Sequence, residues 1–137
     1  MIEEDLSYKI RGAIYEVYNY LGIGLLESVY TNALKYELER RGLKVCKEVA
    51  LPVLYKEITL DVAFRLDLLV EDKAIIEVKS VEELKPIHHK QLLNYLKITQ
   101  LKLGILVNFN EENINNGIFR KINLTWIWYN VSLIYKL

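Results

Sequence analysis

The chain has 137 residues, 52% hydrophobic and 26% charged, the profile of one compact domain that buries its apolar surface without disulfides or a structural metal. Its formal net charge of zero excludes bulk electrostatic attraction to a polyanion, so any nucleic-acid binding must come from a local patch or a bound cation. A single cysteine, Cys46, excludes an internal bridge and fits a reducing, cytoplasmic setting; "MIEEDLSYKIRG" reads as amphipathic rather than as a leader, and no apolar run is long enough for a bilayer.

Leu6, Ile10, Ala13, Ile14, Val17, Tyr18 and Leu21 recur at helical spacing and predict an amphipathic helix that Gly22 stops. After "GIG" a second helix follows, with Leu26, Val29, Tyr30, Ala33, Leu34 and Leu38 as its apolar stripe and Gly42 at its end. The pattern then changes to alternation, through "LKVCKEVALPVLY" and "ITLDVAFRLDLLV". In the second run Leu60, Val62, Phe64, Leu66, Leu68 and Val70 are expected on one face, and Asp61, Ala63, Arg65, Asp67 and Leu69 on the other. In "AIIEVKS", Ile76 and Val78 continue the apolar face while Ile75, Glu77 and Lys79 turn away from it.

Pro86 opens a third helix through "IHHKQLLNYLKIT", at a first-turn position where its missing N–H does no harm. The apolar run "LGILVNF" reads as a strand buried on both faces, set parallel to "AIIEVKS" by a right-handed crossover through that helix. Hairpins followed by a β-α-β unit give an α/β fold of the α+β kind: two N-terminal helices, then a central mixed sheet with one crossover helix. In the tail, alternation of Val131, Leu133, Tyr135 and Leu137 suggests one or two further strands, and the two tryptophans read as core or homodimer contacts. Residues 124–137 form an apolar extension of a single domain.

Within "RLDLLVEDKAIIEVKS" the apolar sheet carries Asp67, Glu77 and Lys79. A three-residue connection, Glu71 to Lys73, pairs Val70 with Ala74 and sets Asp67 across from Glu77; a two-residue loop would send a carboxylate to the apolar face. Like charges directly opposite destabilise a sheet by up to about 1 kcal/mol when exposed, and by more in the absence of water. Either a salt bridge from Lys79 or a divalent cation held by hard oxygen ligands offsets that repulsion. Three other features frame the pair: Glu27 in the first turn of the second helix, the row His88, Gln91 and Tyr95 at i, i+3, i+7 on the third, and "NFN" at a strand end, where asparagine caps are an equal explanation.

Together these residues resemble the PD-(D/E)XK nuclease superfamily, and within it the GxxExxY family. Gly24, Glu27 and Tyr30 in "GLLESVY" match the name-giving pattern, Asp67 the motif aspartate, "EVK" the D/E-x-K element, and Gln91 with Tyr95 the Q-x-x-x-Y element. The resemblance spans about residues 6–123, with "RLD" in place of Pro-Asp. It implies a restriction-endonuclease-like core and a nuclease cutting nucleic acid, DNA first. It further implies that Asp67, Glu77 and the Val78 carbonyl bind Mg²⁺ or Mn²⁺, with Glu27 completing the shell directly or through water. Lys79 would position the attacking water and support the transition state, Gln91 and Tyr95 would hold the backbone or a water, and His88 and Lys90 would meet phosphate. From Lys85 to Lys102 the only charged residues are Lys85, Lys90, Lys97 and Lys102, which makes this helix the expected DNA-facing edge. The alternative reading is a nuclease fold with little or no turnover, serving as a binding module for nucleic acid or a partner protein.

Overall fold

In a computed structural model, which describes residues 3–124, helical spacing and alternation resolve into two helices, three strands, a helix and two strands. The helices α1 (Glu4–Leu21) and α2 (Glu27–Arg40) come first. They are followed by β1 (Val45–Tyr55), β2 (Ile58–Val70), β3 (Ala74–Lys79), α3 (Pro86–Thr99), β4 (Leu103–Asn108), a 3₁₀ turn at Ile114–Gly117 and β5 (Ile118–Ile122). The strands form one mixed sheet in the order β1-β2-β3-β4-β5. Only β3 and β4 run parallel, joined through α3, and the other neighbours are antiparallel.

The expected stops hold. Gly22 takes a left-handed φ of 71° and donates its N–H to the Tyr18 carbonyl at 2.8 Å, ending α1. Pro86 stands at the start of α3. The side chains of α1 and α2 cover one face of the sheet, where Ile10, Ile14, Leu34 and Leu38 are buried with Ile76, Ile105 and Val107. On the other face α3 buries Leu92, Tyr95 and Leu96 against Ile75 and Leu106. Gly104 permits that approach, since a Cβ there would stand 3.0 Å from the Cδ1 atoms of both Leu92 and Leu96. Strand β4 is buried along its whole length, as its unbroken apolar run requires.

Two expectations are corrected. The apolar residues of β2 do not share one face: Leu68 and Val70 join the α1/α2 side, whereas Leu66 and Phe64 lie on the α3 side. The exchange occurs where Glu48 of β1 adopts φ 55° and neither Glu48 nor Asp67 joins the ladder, between the pairs Lys47–Leu68 and Val49–Leu66. Farther out, β3 is too short to flank the β1–β2 ribbon, so Val62 and Ile58 are exposed. The second correction concerns α2, whose buried stripe contains Tyr30, Leu34 and Leu38 but neither Leu26 nor Val29, both of which face solvent. The strands expected over Val131 to Leu137, and the tryptophan contacts, lie outside the described residues.

Candidate active site

The β2–β3 register follows from the tight connection. Glu71 and Asp72 take left-handed φ values of 54° and 53°, Lys73 donates its N–H to the Val70 carbonyl at 2.9 Å, and Val70 pairs with Ala74, Leu69 with Ile75 and Leu68 with Ile76. One step further Asp67 meets Glu77, as the three-residue loop predicts, and there side chains replace the backbone ladder. The Asp67 N–H donates to Glu77 Oε1 at 3.1 Å, and the Val78 N–H donates to Asp67 Oδ2 at 2.8 Å. Each acid therefore accepts from the strand that carries the other, and both carboxylates are fixed in the same gap.

This gap is poorly solvated. Glu77 is only 4% exposed, and burial together with the neighbouring Asp67 charge pushes its carboxyl up from 4.5 to about 8. Burial also raises Asp67, opposed by the Val78 N–H, the Lys79 charge and a hydrogen bond with Glu77. Both acids are therefore held above the ordinary carboxylate range, because the gap disfavours negative charge, and they lose their protons as a pair. Tyr95, on α3, is held above its ordinary value by burial and then by the Glu77 charge. Glu27, whose charge raises Asp67, and Lys79, whose charge lowers both acids, belong to the same electrostatic neighbourhood.

Glu27 arrives from the opposite side of the sheet. Tyr30, fully buried and stacked on Phe109 with ring centroids 4.5 Å apart, donates its hydroxyl to the Gly22 carbonyl at 2.6 Å and accepts the Leu25 N–H at 3.2 Å. That fixes the loop ahead of α2. The Ser80 hydroxyl then donates to the Leu25 carbonyl at 2.7 Å, and the Ser80 N–H lies 3.4 Å from Glu27 Oε2. The matched tyrosine of "GLLESVY" thus supports the loop, and its glutamate is tied to the end of β3. Among the described residues no three His, Cys, Asp or Glu side chains are grouped closely enough to hold a metal ion by themselves. The carboxylates brought together are the Asp67–Glu77 pair, with Glu27 tied through Ser80 to the end of the strand that carries Glu77.

On α3, Gln91 Nε2 donates to the Tyr95 hydroxyl at 2.9 Å, so the expected i, i+4 neighbours do meet. His88 is engaged differently: its Nδ1 accepts the Lys85 N–H at 3.0 Å and caps the helix, leaving Nε2 as the atom available to a ligand. Lys85, Lys90, Lys97 and Lys102 are all exposed. A cleft of about 800 Å³ opens beside the helix start, lined by Val81, Glu82, Glu83, Lys85 and His88.

Two residues outside the matched motifs position this site. Ser80 gives no signal, because its partners are more than fifty positions away. Asn108 gives one, as a polar residue closing a fully buried strand. Its amide accepts the Val81 N–H at 3.0 Å and donates to the Val81 carbonyl at 2.9 Å, holding the chain just past Lys79. For the "NFN" segment, capping and loop support are therefore what the structure displays.

In comparison with known proteins, the family model of the PD-(D/E)XK nuclease superfamily matches residues 4–121. No curated protein and no solved structure matches the chain. Among the described residues no helix is long and apolar enough to cross a membrane.

Proposed function

Because the chain belongs to the PD-(D/E)XK nuclease superfamily, we propose that it is a Mg²⁺- or Mn²⁺-dependent nuclease hydrolysing phosphodiester bonds, of DNA in the first instance, at Asp67, Glu77 and Lys79. The observation that carries this reading is the pair of facing carboxylates, Glu77 buried and Asp67 half-buried, each locked by a backbone N–H of the opposite strand. A sheet gains no stability from such a pair, and a purely structural sheet has no use for two acids facing each other in a gap that disfavours their charge.

Hard carboxylate oxygens in a buried gap short of positive charge are the donor chemistry that suits a small divalent cation. Asp67, Glu77 and the Val78 carbonyl would hold it, with Glu27 at the edge. When bound, such an ion supplies Lewis-acid stabilisation of charge on a phosphoryl oxygen and a more acidic water. The chain's own groups do the rest. Lys79 sets its ammonium beside both acids, orients the attacking water and opposes the negative charge that grows in the transition state. Gln91 and Tyr95, fixed to each other, offer an amide and a phenol to a phosphate oxygen or an ordered water. His88 through Nε2, and Lys90, meet the flanking phosphates along α3, which supplies locally the positive charge that the whole chain lacks.

The test is a panel of linear duplex, circular, single-stranded and RNA substrates incubated with Mg²⁺ or Mn²⁺. Asp67→Asn and Lys79→Ala are expected to be folded and inactive. Pure, folded protein that leaves every substrate intact and shows no calorimetric binding of Mn²⁺ would instead identify a non-cutting binding module.

A further inference from the structure

Beside the acids stands an apolar ridge that the fold does not use. Leu26 is 75% exposed, Ile23 50% and Val29 41%, and Leu25 is exposed as well. Leu26 and Val29, three apart at the start of α2, project from the same side. This is no floppy loop end. Tyr30 fixes the backbone at Gly22 and Leu25, and Ser80 fixes Leu25 to the strand that carries Glu77 and Lys79. The backbone beneath these exposed side chains is therefore held by hydrogen bonds and tied to the end of the strand that carries Glu77 and Lys79.

We propose that Ile23, Leu26 and Val29 form a platform for unstacked bases, so that the site takes single-stranded or frayed nucleic acid in preference to intact duplex; this rests on the reading of the acid pair as a phosphodiester site. Phosphate and ribose oxygens gain nothing from aliphatic side chains, and the apolar surface a nucleic acid can offer is the face of a base, which duplex stacking hides. Charge points the same way. The cleft that follows Ser80 is lined by Glu82 and Glu83 together with Lys85 and His88. A duplex presents two phosphate backbones and would press one against these carboxylates, whereas a single strand can lay its bases on the ridge and its one backbone toward the lysines of α3.

The experiment is fluorescence anisotropy of the full chain carrying Glu77→Gln, so that cutting does not confound binding, with labelled single-stranded and blunt duplex oligonucleotides of equal length. The single strand is expected to bind about tenfold tighter, the scale of one aliphatic side chain removed from water. In the Leu26→Ser/Val29→Ser variant that ratio should fall to about one. Leu26→Trp, which enlarges the platform without touching the core, should raise it further, and thermal melts verify that each variant is folded. Equal binding of the two forms by the parent, tighter binding of duplex, or a ratio that survives in the double variant would overturn the proposal, as would no binding of either oligonucleotide. Should the unsubstituted chain cut nothing while the ratio behaves as expected, the ridge stands and the hydrolytic reading falls.

Discussion

Replacing Glu77 by glutamine should stabilise the cation-free protein by an amount that grows with pH. Glu77 titrates at about 8 in the fold against an ordinary 4.5, so between those values the folded state holds a proton that the unfolded chain has shed. Each such proton makes stability fall by about 1.4 kcal/mol per pH unit as pH rises. The contribution is fully present below about pH 4.5 and is lost as pH climbs through about 8, a total on the order of 5 kcal/mol. Asp67, also raised, adds with the same sign. Glutamine keeps the geometry, because its carbonyl can accept the Asp67 N–H and its amide can donate to the Asp67 carboxylate, but it carries no titrating proton. Urea denaturation in EDTA at several pH values, with unsubstituted and Glu77→Gln protein side by side, reads the difference directly, since histidines and surface acids cancel. Stability curves of the two proteins that run parallel from about pH 4.5 to about 8 would refute the claim that Glu77 is buried against a second acid.

Lys79→Ala should lower turnover at least about a hundredfold with little change in KM, and should push Asp67 and Glu77 up further, because its charge opposes both shifts; steady-state kinetics and pH-dependent melts measure each. Asp67→Ala should destabilise by about 1–3 kcal/mol by leaving the buried Val78 N–H without an acceptor, whereas Asp67→Asn, which retains one, should be folded and inactive. Tyr30→Phe removes the hydroxyl that serves Gly22 and Leu25, and should cost about 1–2 kcal/mol in denaturant unfolding while reducing turnover through displacement of Glu27.

The Asp67–Glu77 register was readable from sequence because a strand has only two faces: the acids fall on the polar side solely with an odd connection, and Val70 does pair with Ala74. The crossover helix and the parallel strand were readable for a related reason, since an unbroken apolar run after an amphipathic helix admits few placements. What stayed hidden depends on partners distant in sequence. Strict alternation predicts one face for Phe64 to Val70, but a left-handed Glu48 on the neighbouring strand exchanges the faces, and nothing near Asp67 announces it. The exposure of Leu26 and Val29 was hidden too, because an apolar residue at helical spacing reads as core, whereas Leu26 is the extended residue ahead of α2 and the buried stripe starts only at Tyr30. His88 aligned correctly with Gln91 and Tyr95, yet the backbone of Lys85 takes its Nδ1.

These departures share a cause with the site itself. Where β2 parts from β3, backbone N–H groups that would have bonded across the ladder need other acceptors, and at Asp67 and Val78 carboxylates serve. A neutral amide or hydroxyl could satisfy the same N–H groups without repulsion, so the need for acceptors explains why polar side chains are there but not why both are acids. The excess negative charge is the part of the arrangement that folding leaves unexplained. Lys79, on the same strand, lowers both acids, yet burial and then the Asp67 charge still leave Glu77 raised to about 8. Two carboxylates held in a gap that disfavours negative charge are a place where a further positive charge would be favoured, and this is what links the end of the hairpin ladder to the proposed phosphodiester site.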